Sequence, residues 1–248
     1  MTGVEVQQLV DLLETEGIRL AHASQQAGLD AAVPSCPGWT VRDLVTHMGG
    51  VHRWAAAIVG GGLPESDETT SDLVGAGPDN AVLLDWYRDG HRALVETLRA
   101  APKDLACYTF LPAPTPLAFW ARRQAHETTI HRADADAACG PITPCDRSFA
   151  LDGIHEILLG FAPRRKAATS PASLHLEVTD SDLDWLVILG PSGVVATAGR
   201  PPESNPDVVV SGSASDLYLW LWNRPATVSI TGDFVAAEQW QQIKVRWS

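Results

Sequence analysis

The chain has 248 residues, of which 45% are hydrophobic and 19% charged, and its formal net charge is −12. This balance is typical of folded globular proteins and excludes a largely disordered chain. The negative charge disfavours binding to nucleic acid and to anionic membrane surfaces, so we expect neither as a partner. No apolar run approaches the length of a membrane span, and the N-terminus lacks the basic and apolar regions of a signal peptide.

The four cysteines form neither a CxxC pair nor a recognisable disulfide framework. They are Cys36, Cys107, Cys139 and Cys145. Free cysteines are commonly buried as small apolar side chains, so we interpret all four as structural thiols of a protein in the reducing cytoplasm. We expect a monomer or a weak dimer.

Helical periodicity and helix-boundary signals predict four helices in about the first 138 residues. These helices are 4–26, 40–59, 79–100 and 117–138. Gly28 and Gly60–Gly62 are the expected stops of the first two. Thr40 is the expected N-cap of the second helix, with Asp43 at the capping-box position, and Pro116 suits the first turn of the fourth.

After Gly140 the pattern changes to short segments, separated near Pro163 by a basic stretch that we interpret as a loop. We predict helices at 149–159, 216–222 and 234–242, and strands at 174–178, 185–189, 194–198, 208–210 and 228–230. A helical region followed by mixed elements predicts an α+β protein of two domains, 1–147 and 148–248.

The fourth predicted helix carries polar groups that resemble a zinc-protease motif without matching it. The H-E-x-x-H motif needs histidines four residues apart, whereas His126 and His131 are five apart, or about 140° around a helix. Glu127 and His131 lie only about 40° apart. Their side of the helix should meet the bundle core, where a carboxylate is normally paired or bound to a metal.

A third ligand is expected from the second helix, whose apolar stripe includes Leu44 and Met48. His47 flanks this stripe at about 60° from Leu44, while His52 lies on its other side. His47, Glu127 and His131 are therefore candidate ligands of a divalent metal, with zinc favoured. Two histidines and one carboxylate leave a coordination position open, as in catalytic zinc sites. The alternative is an ordinary helix pair beside a structural histidine.

Four more charged residues lie close to this motif. Asp134 and Asp136 are expected at a solvated helix end, and Asp134 is alternatively a hydrogen-bond partner of a ligating histidine. Arg122 and Arg123 are expected to be surface charges, unless one of them binds an acidic substrate.

Two segments closely resemble motifs of the mycothiol-dependent maleylpyruvate isomerase family. They are residues 34–47 (PSCPGWTVRDLVTH) and 123–134 (RQAHETTIHRAD). Residues 152–154 (DGI) and 211–224 (SGSASDLYLWLWNR) are also similar to the family, so the resemblance spans nearly the whole chain. The chain departs from the pattern at His155, where members often carry an acidic residue.

This resemblance implies a DinB-like four-helix bundle followed by a smaller α+β domain similar to sterol carrier proteins. It implies zinc ligands at His47, Glu127 and His131, the residues that helical geometry also selects. It further implies that mycothiol, a small thiol of actinobacteria, occupies the open metal position. Its sulfur then adds to the double bond of the substrate, permits rotation and leaves.

Arg224, which closes the last motif, resembles a position associated with binding of the substrate carboxylates. A guanidinium suits that bidentate task. The alternative for Arg224 is a cation that stabilises the C-terminal end of a helix.

The leading hypothesis is a zinc-dependent enzyme that uses a small thiol to isomerise an unsaturated diacid, or that transfers the thiol to an electrophile. Its partners would be a small-molecule thiol and a small substrate. One alternative is a non-catalytic protein with a structural metal and an apolar ligand in its C-terminal domain. Another is a metal-dependent hydrolase that uses water. No cysteine falls on the inward faces that carry the candidate ligands, so the reactive sulfur is expected to be diffusible.

Overall fold

The computed structural model describes residues 4–61, 77–164, 170–199 and 205–243. They form two compact units, Val4–Thr143 and a second unit that begins at Pro144. Regular structure in the first unit is helical, whereas the second unit combines helices with a five-stranded sheet. The predicted α+β fold class, with the helical part first, is confirmed. Among the helices of these described ranges, none has the length and apolar character needed to cross a membrane.

All four helices predicted for the first unit are present. They are α1 (Val6–Ala27), α2 (Val41–Val59), α3 (Asn80–Ala100) and α4 (Pro116–Cys139). As expected, α1 ends at Gly28, which has a φ of 82°, and α2 ends at Gly60. Gly62 and most of the loop that precedes α3 lie outside the described residues.

The start of α2 follows the predicted capping box. The hydroxyl of Thr40 accepts a hydrogen bond from the Asp43 amide at 3.4 Å, and the Asp43 carboxylate accepts one from the Thr40 amide at 2.8 Å. These bonds satisfy amide groups that have no partner within the helix. They define where α2 begins, about two turns ahead of His47.

Two close contacts set the packing of α1 against its neighbours. Gly17 lies so near the ring of His91 in α3 that a Cβ at Gly17 would be 2.2 Å from the ring atom Cε1. Glu16, one residue earlier, accepts a 2.7 Å hydrogen bond from the fully buried Arg132 of α4. A glycine and a buried ion pair thus hold α1 against both helices.

The second unit carries every predicted helix and strand, with shifted ends. Its elements are α5 (Arg147–Glu156), β1 (Ala172–Val178), β2 (Asp184–Gly190), β3 (Gly193–Ala198), β4 (Val208–Gly212), α6 (Ala214–Leu221), β5 (Ser229–Gly232) and α7 (Phe234–Gln242). After α5 the chain continues as a π-helical turn, Ile157–Phe161, and a 3-10 turn, Ala162–Arg164. Pro163 and Arg164, predicted to lie in a basic loop, are therefore part of this 3-10 turn, and residues 165–169 lie outside the described ranges.

The strands form one mixed sheet in the order β3-β2-β1-β4-β5. The central pair β1 and β4 is parallel, and the other pairs are antiparallel. Leu174 of β1 pairs with Val187 of β2 and Val208 of β4, and all three side chains are fully buried. Helices α6 and α7 contact β1 and β4, so the apolar core of this unit lies between these helices and the middle of the sheet.

Candidate metal centre

The structure brings the three predicted ligands together. His47 extends from α2, and Glu127 and His131 extend from α4. The Glu127 Oε1 atom lies 3.6 Å from His47 Nε2 and 3.3 Å from His131 Nε2. One donor atom from each of the three residues lies within 4.8 Å of the other two. We call these residues the trio.

The spacing of these atoms fits a metal ion. Ligand atoms at about 2.0–2.1 Å from a tetrahedral zinc ion lie about 3.4 Å from one another. The two distances in the trio are close to that value, and nitrogen and carboxylate donors suit zinc. The side chains of Glu127 and His131 are 8% and 11% exposed, while that of His47 is 24% exposed. The trio is therefore open to solvent on the His47 side.

Arg123 holds the second oxygen of Glu127, which corrects the prediction that Arg123 is a surface charge. Its side chain is 1% exposed, and Nη2 donates to Glu127 Oε2 at 2.7 Å. Burial alone would raise the pKa of Glu127. The nearby imidazoles of His131 and His47 and the charge of Arg123 outweigh burial and hold this pKa well below its usual value. Glu127 is thus a carboxylate with Oε1 directed at the histidines.

Asp134 fixes the other nitrogen of His131. Its Oδ2 atom lies 2.8 Å from His131 Nδ1, and the Asp134 side chain is fully buried. Asp136 is 9% exposed and accepts a hydrogen bond from Arg132, so the expectation of a solvated helix end is wrong for both aspartates. Asp134 is instead a hydrogen-bond partner of His131, as the alternative prediction for this residue had it. It directs His131 Nε2 at Glu127.

The ion pairs also change the basicity of His131. Burial disfavours its charged form, but hydrogen bonds to Asp134 and Glu127 and their negative charges outweigh burial and raise its pKa to about 9. Without a metal, His131 is therefore protonated at neutral pH. A cation at Nε2 would replace one proton there.

The turn at residues 33–39, which precedes α2, packs against Asp134 and against the two histidines of the trio. The Ser35 hydroxyl donates to Asp134 Oδ1, and the Cys36 thiol donates to Asp134 Oδ2 at 3.5 Å. The Trp39 ring stacks on His131 with centroids 6.2 Å apart and tilts against His47 at 5.2 Å. In the sequence this segment stands out only through the family motif at residues 34–47, because nothing local indicates a contact with α4.

A second group of buried aromatic and polar side chains lies in the bundle beside the trio. His52 is fully buried, and its Nε2 lies 2.9 Å from the hydroxyl of Thr128. Its ring centroid is 5.1 Å from that of His91 and 5.4 Å from that of Tyr87. Burial, followed by the nearby charge of His91, lowers the pKa of His52 well below its usual value. His52 is therefore a neutral core histidine.

Arg224 lies in the second unit, in the turn after α6. Its main-chain N–H donates to the carbonyl of Leu219 at 2.9 Å, and Nη1 donates to the carbonyl of Trp222 at 2.6 Å. Asn223 before it has a φ of 59°, a left-handed conformation that commonly ends helices. The local contacts match a cation at a helix C-terminus, and a role towards the substrate stays a prediction.

The fold and the trio define a class of protein: a helical bundle with a candidate mononuclear metal centre, followed by an α+β unit. The model of the mycothiol maleylpyruvate isomerase N-terminal domain matches residues 10–136. A second model, the MDMPI C-terminal domain, matches residues 148–239. The chain belongs to the mycothiol-dependent maleylpyruvate isomerase family, a family of enzymes.

Two solved structures that share this fold are forms of the mycothiol-dependent maleylpyruvate isomerase. The sequence is 15% identical to that of the mycothiol-dependent maleylpyruvate isomerase, and the TM-score with its crystal structure is 0.64. It is 14% identical to a histidine-to-alanine variant of that enzyme, with a TM-score of 0.67. Both alignments cover 92% of this chain and 93% of the other. Among curated proteins no sequence matches the chain. At these identities the structural likeness establishes the fold.

Proposed function

We propose that the chain is a zinc-dependent enzyme that uses a small thiol of the mycothiol type to isomerise a small, unsaturated, acidic substrate. The observation that carries this proposal is the convergence of His47, Glu127 and His131 in zinc-like spacing with one open side. Family membership supports the thiol and the reaction class. Transfer of the thiol to an electrophile is the alternative outcome at the same site.

The chemistry of the proposed reaction needs a thiolate near neutral pH. A divalent cation bound at the trio would supply it, because coordination lowers the pKa of a thiol. His47, Glu127 and His131 would hold the cation, and Arg123 and Asp134 orient Glu127 and His131 for it. The side chain of His47 is the most exposed of the three, so a thiol would enter from the His47 side.

With a divalent cation bound, the charges around the trio would favour an anionic ligand. Glu127 and Asp134 contribute two negative charges when ionised, and Arg123 contributes one positive charge. A divalent cation held there would bring the net charge of these groups to about +1, which would attract a thiolate or a substrate carboxylate. An acidic substrate is thus compatible with the site in spite of the negative charge of the whole chain.

We propose that Arg224 binds a carboxylate of the substrate. Its guanidinium offers paired donors of the geometry that a carboxylate accepts. Arg224→Lys should then raise KM more than it lowers kcat, because lysine keeps the charge but not the paired geometry. An unchanged KM would show that Arg224 only stabilises the end of α6.

The metal site is tested by elemental analysis of purified protein. Wild type should contain about one divalent metal per chain, and His47→Ala, Glu127→Ala and His131→Ala should each lose most of it. His22→Ala, which removes an exposed histidine of α1, is the matched control and should keep the metal. Full occupancy in all three trio variants would refute the site.

The thiol is tested in cobalt-substituted protein, where a sulfur ligand produces a charge-transfer band. The band should appear when mycothiol or a close analogue is added, and it should persist after replacement of the four cysteines by serine. Cys36 makes this control necessary, since its sulfur lies near His131 and Asp134. A band that is present before thiol addition and absent from the cysteine-free variant would show that a protein cysteine is the ligand.

A further inference from the structure

The turn at residues 33–39 is held in a defined shape beside α4. Its ends are joined by a hydrogen bond from the Val33 amide to the Trp39 carbonyl at 3.0 Å, and the Trp39 amide donates to the Cys36 carbonyl at 2.9 Å. A further backbone bond, 2.8 Å long, joins the Val41 amide to the Ala31 carbonyl. This backbone presents Ser35 and Trp39 to side chains of α4.

Three donors meet at the carboxylate of Asp134, which is fully buried. The Ser35 hydroxyl donates to Oδ1, while the Cys36 thiol and His131 Nδ1 donate to Oδ2. A buried carboxylate is costly unless its oxygens accept hydrogen bonds, so these contacts determine its rotation. The position of Oδ2 in turn determines the direction of the His131 ring.

We propose that Ser35 is a positioning residue of the metal centre, acting through Asp134 on His131. Ser35 anchors Oδ1, so Oδ2 stays in line with His131 Nδ1 and Nε2 stays directed at Glu127 and His47. Trp39 also restricts the His131 ring, because its own ring stacks on it. This inference rests on the proposed metal site. It means that the affinity of the trio for a metal depends partly on a turn that contributes no ligand.

The atoms of Cys36, His131 and Asp134 are also close enough to hold a second cation. That arrangement would displace the protons that join Cys36 and His131 to Asp134. Because both groups already donate to the carboxylate, the geometry favours the positioning role over a second metal. The two roles predict different metal stoichiometries.

The test is zinc affinity of the full chain, measured by competition with a chromogenic chelator. Ser35→Ala should raise the Kd for zinc about three- to tenfold, since loss of a hydrogen bond to a charged group loosens Asp134. Ser35→Thr, which restores the hydroxyl, should stay within about twofold of wild type. The matched control is Ser173→Ala, which deletes a 2.7 Å Ser–Asp hydrogen bond in the second unit and should leave zinc affinity unchanged.

Two further measurements distinguish a local effect on His131 from a general folding defect of Ser35→Ala. In the zinc-loaded protein, the His131 Nδ1 proton should exchange with water faster in Ser35→Ala than in wild type or Ser173→Ala, as followed by NMR. Asp134→Asn keeps the size of the side chain but removes its charge, and it should weaken zinc binding about 10- to 100-fold.

The inference is overturned if Ser35→Ala and Ser173→Ala bind zinc equally, if Asp134→Asn matches wild type, or if wild type takes up two equivalents of zinc. These results leave the trio intact as the site. Failure of the proposed function gives a different result: wild type binds no zinc, or zinc binding survives the loss of His131.

Discussion

Arg123 and Glu127 form a buried ion pair whose cost and benefit depend on the metal. Their side chains are 1% and 8% exposed, and removal of Arg123 takes from the buried Glu127 its nearer cationic partner, leaving His131 at 3.3 Å. Arg123→Gln should lower the free energy of unfolding of the metal-free protein by about 3 kcal/mol. The loss should be smaller with zinc, because a cation compensates Glu127. Urea unfolding with and without chelator measures both values.

The control for this prediction is Arg92→Gln, which removes a 3.2 Å pair with Asp89 between side chains that are 65% and 66% exposed. Exposed pairs contribute little, so a change of about 0.5 kcal/mol or less is expected. Equal losses in the two variants would show that the Arg123 pair is no more important than a surface pair.

His131 predicts how metal affinity depends on pH. Its pKa in the metal-free protein is raised to about 9, so below that pH the metal has to displace a proton. The contribution of His131 should therefore make zinc affinity rise about tenfold per pH unit up to about pH 9. Above that pH the affinity should level off. Calorimetry in two buffers of different ionisation enthalpy should detect about one proton released per zinc at pH 7.

The same shift has the opposite effect on stability without metal. A histidine with a raised pKa contributes stability that is complete below its unfolded pKa of about 6.5 and is lost as the pH rises through about 9. Asp134→Asn removes a partner that raises this pKa, so the zinc affinity of that variant should level off at a lower pH. An identical pH profile in the variant would contradict this account of His131.

At the scale of elements, the contact between α1 and α3 depends on the absence of a side chain at Gly17. A Cβ there would meet the His91 ring at 2.2 Å. Although alanine favours helices over glycine, Gly17→Ala should destabilise the protein by about 2 kcal/mol through overpacking. Gly140→Ala is the control, since its Cβ would have no atom within 4 Å, and it should be neutral or slightly stabilising.

Thermal and urea unfolding measure both glycine variants. In a His91→Ala background the cost of Gly17→Ala should disappear, because the ring that the new methyl group meets is gone. A cost that persists in the double variant would place the strain elsewhere in α1.

At the scale of the whole molecule, all three candidate ligands lie in the unit Val4–Thr143, whereas Arg224 lies in the other. A fragment of residues 1–147 should therefore fold as a helical bundle and bind about one zinc per chain, as measured by circular dichroism and elemental analysis. Thiol-dependent turnover should be lost if Arg224 binds the substrate. A fragment that folds but binds no zinc, while the full chain does, would show that the second unit contributes to the site.

Much of the fold was predictable because it depends on local periodicity. The four helices of the bundle, the capping box at Thr40 and the order of helices and strands after Gly140 all follow from patterns that repeat within a few residues. The phase of a helix is equally local, so Glu127 and His131 were identified as neighbours on one face. His47 was identified from its position beside an apolar stripe, and the family motif selects the same residue.

Only the tertiary structure decided the surroundings of these ligands. Ser35 and Asp134 are 99 positions apart, and no local pattern records that a turn will pack against a distant helix. Arg123 and Asp134 were expected in solvent because isolated charges avoid the interior. They are buried because α4 is covered on nearly all sides and each finds a partner within four residues on the same helix. The sequence by itself determined which residues could bind a metal, while packing decided how they are held and charged.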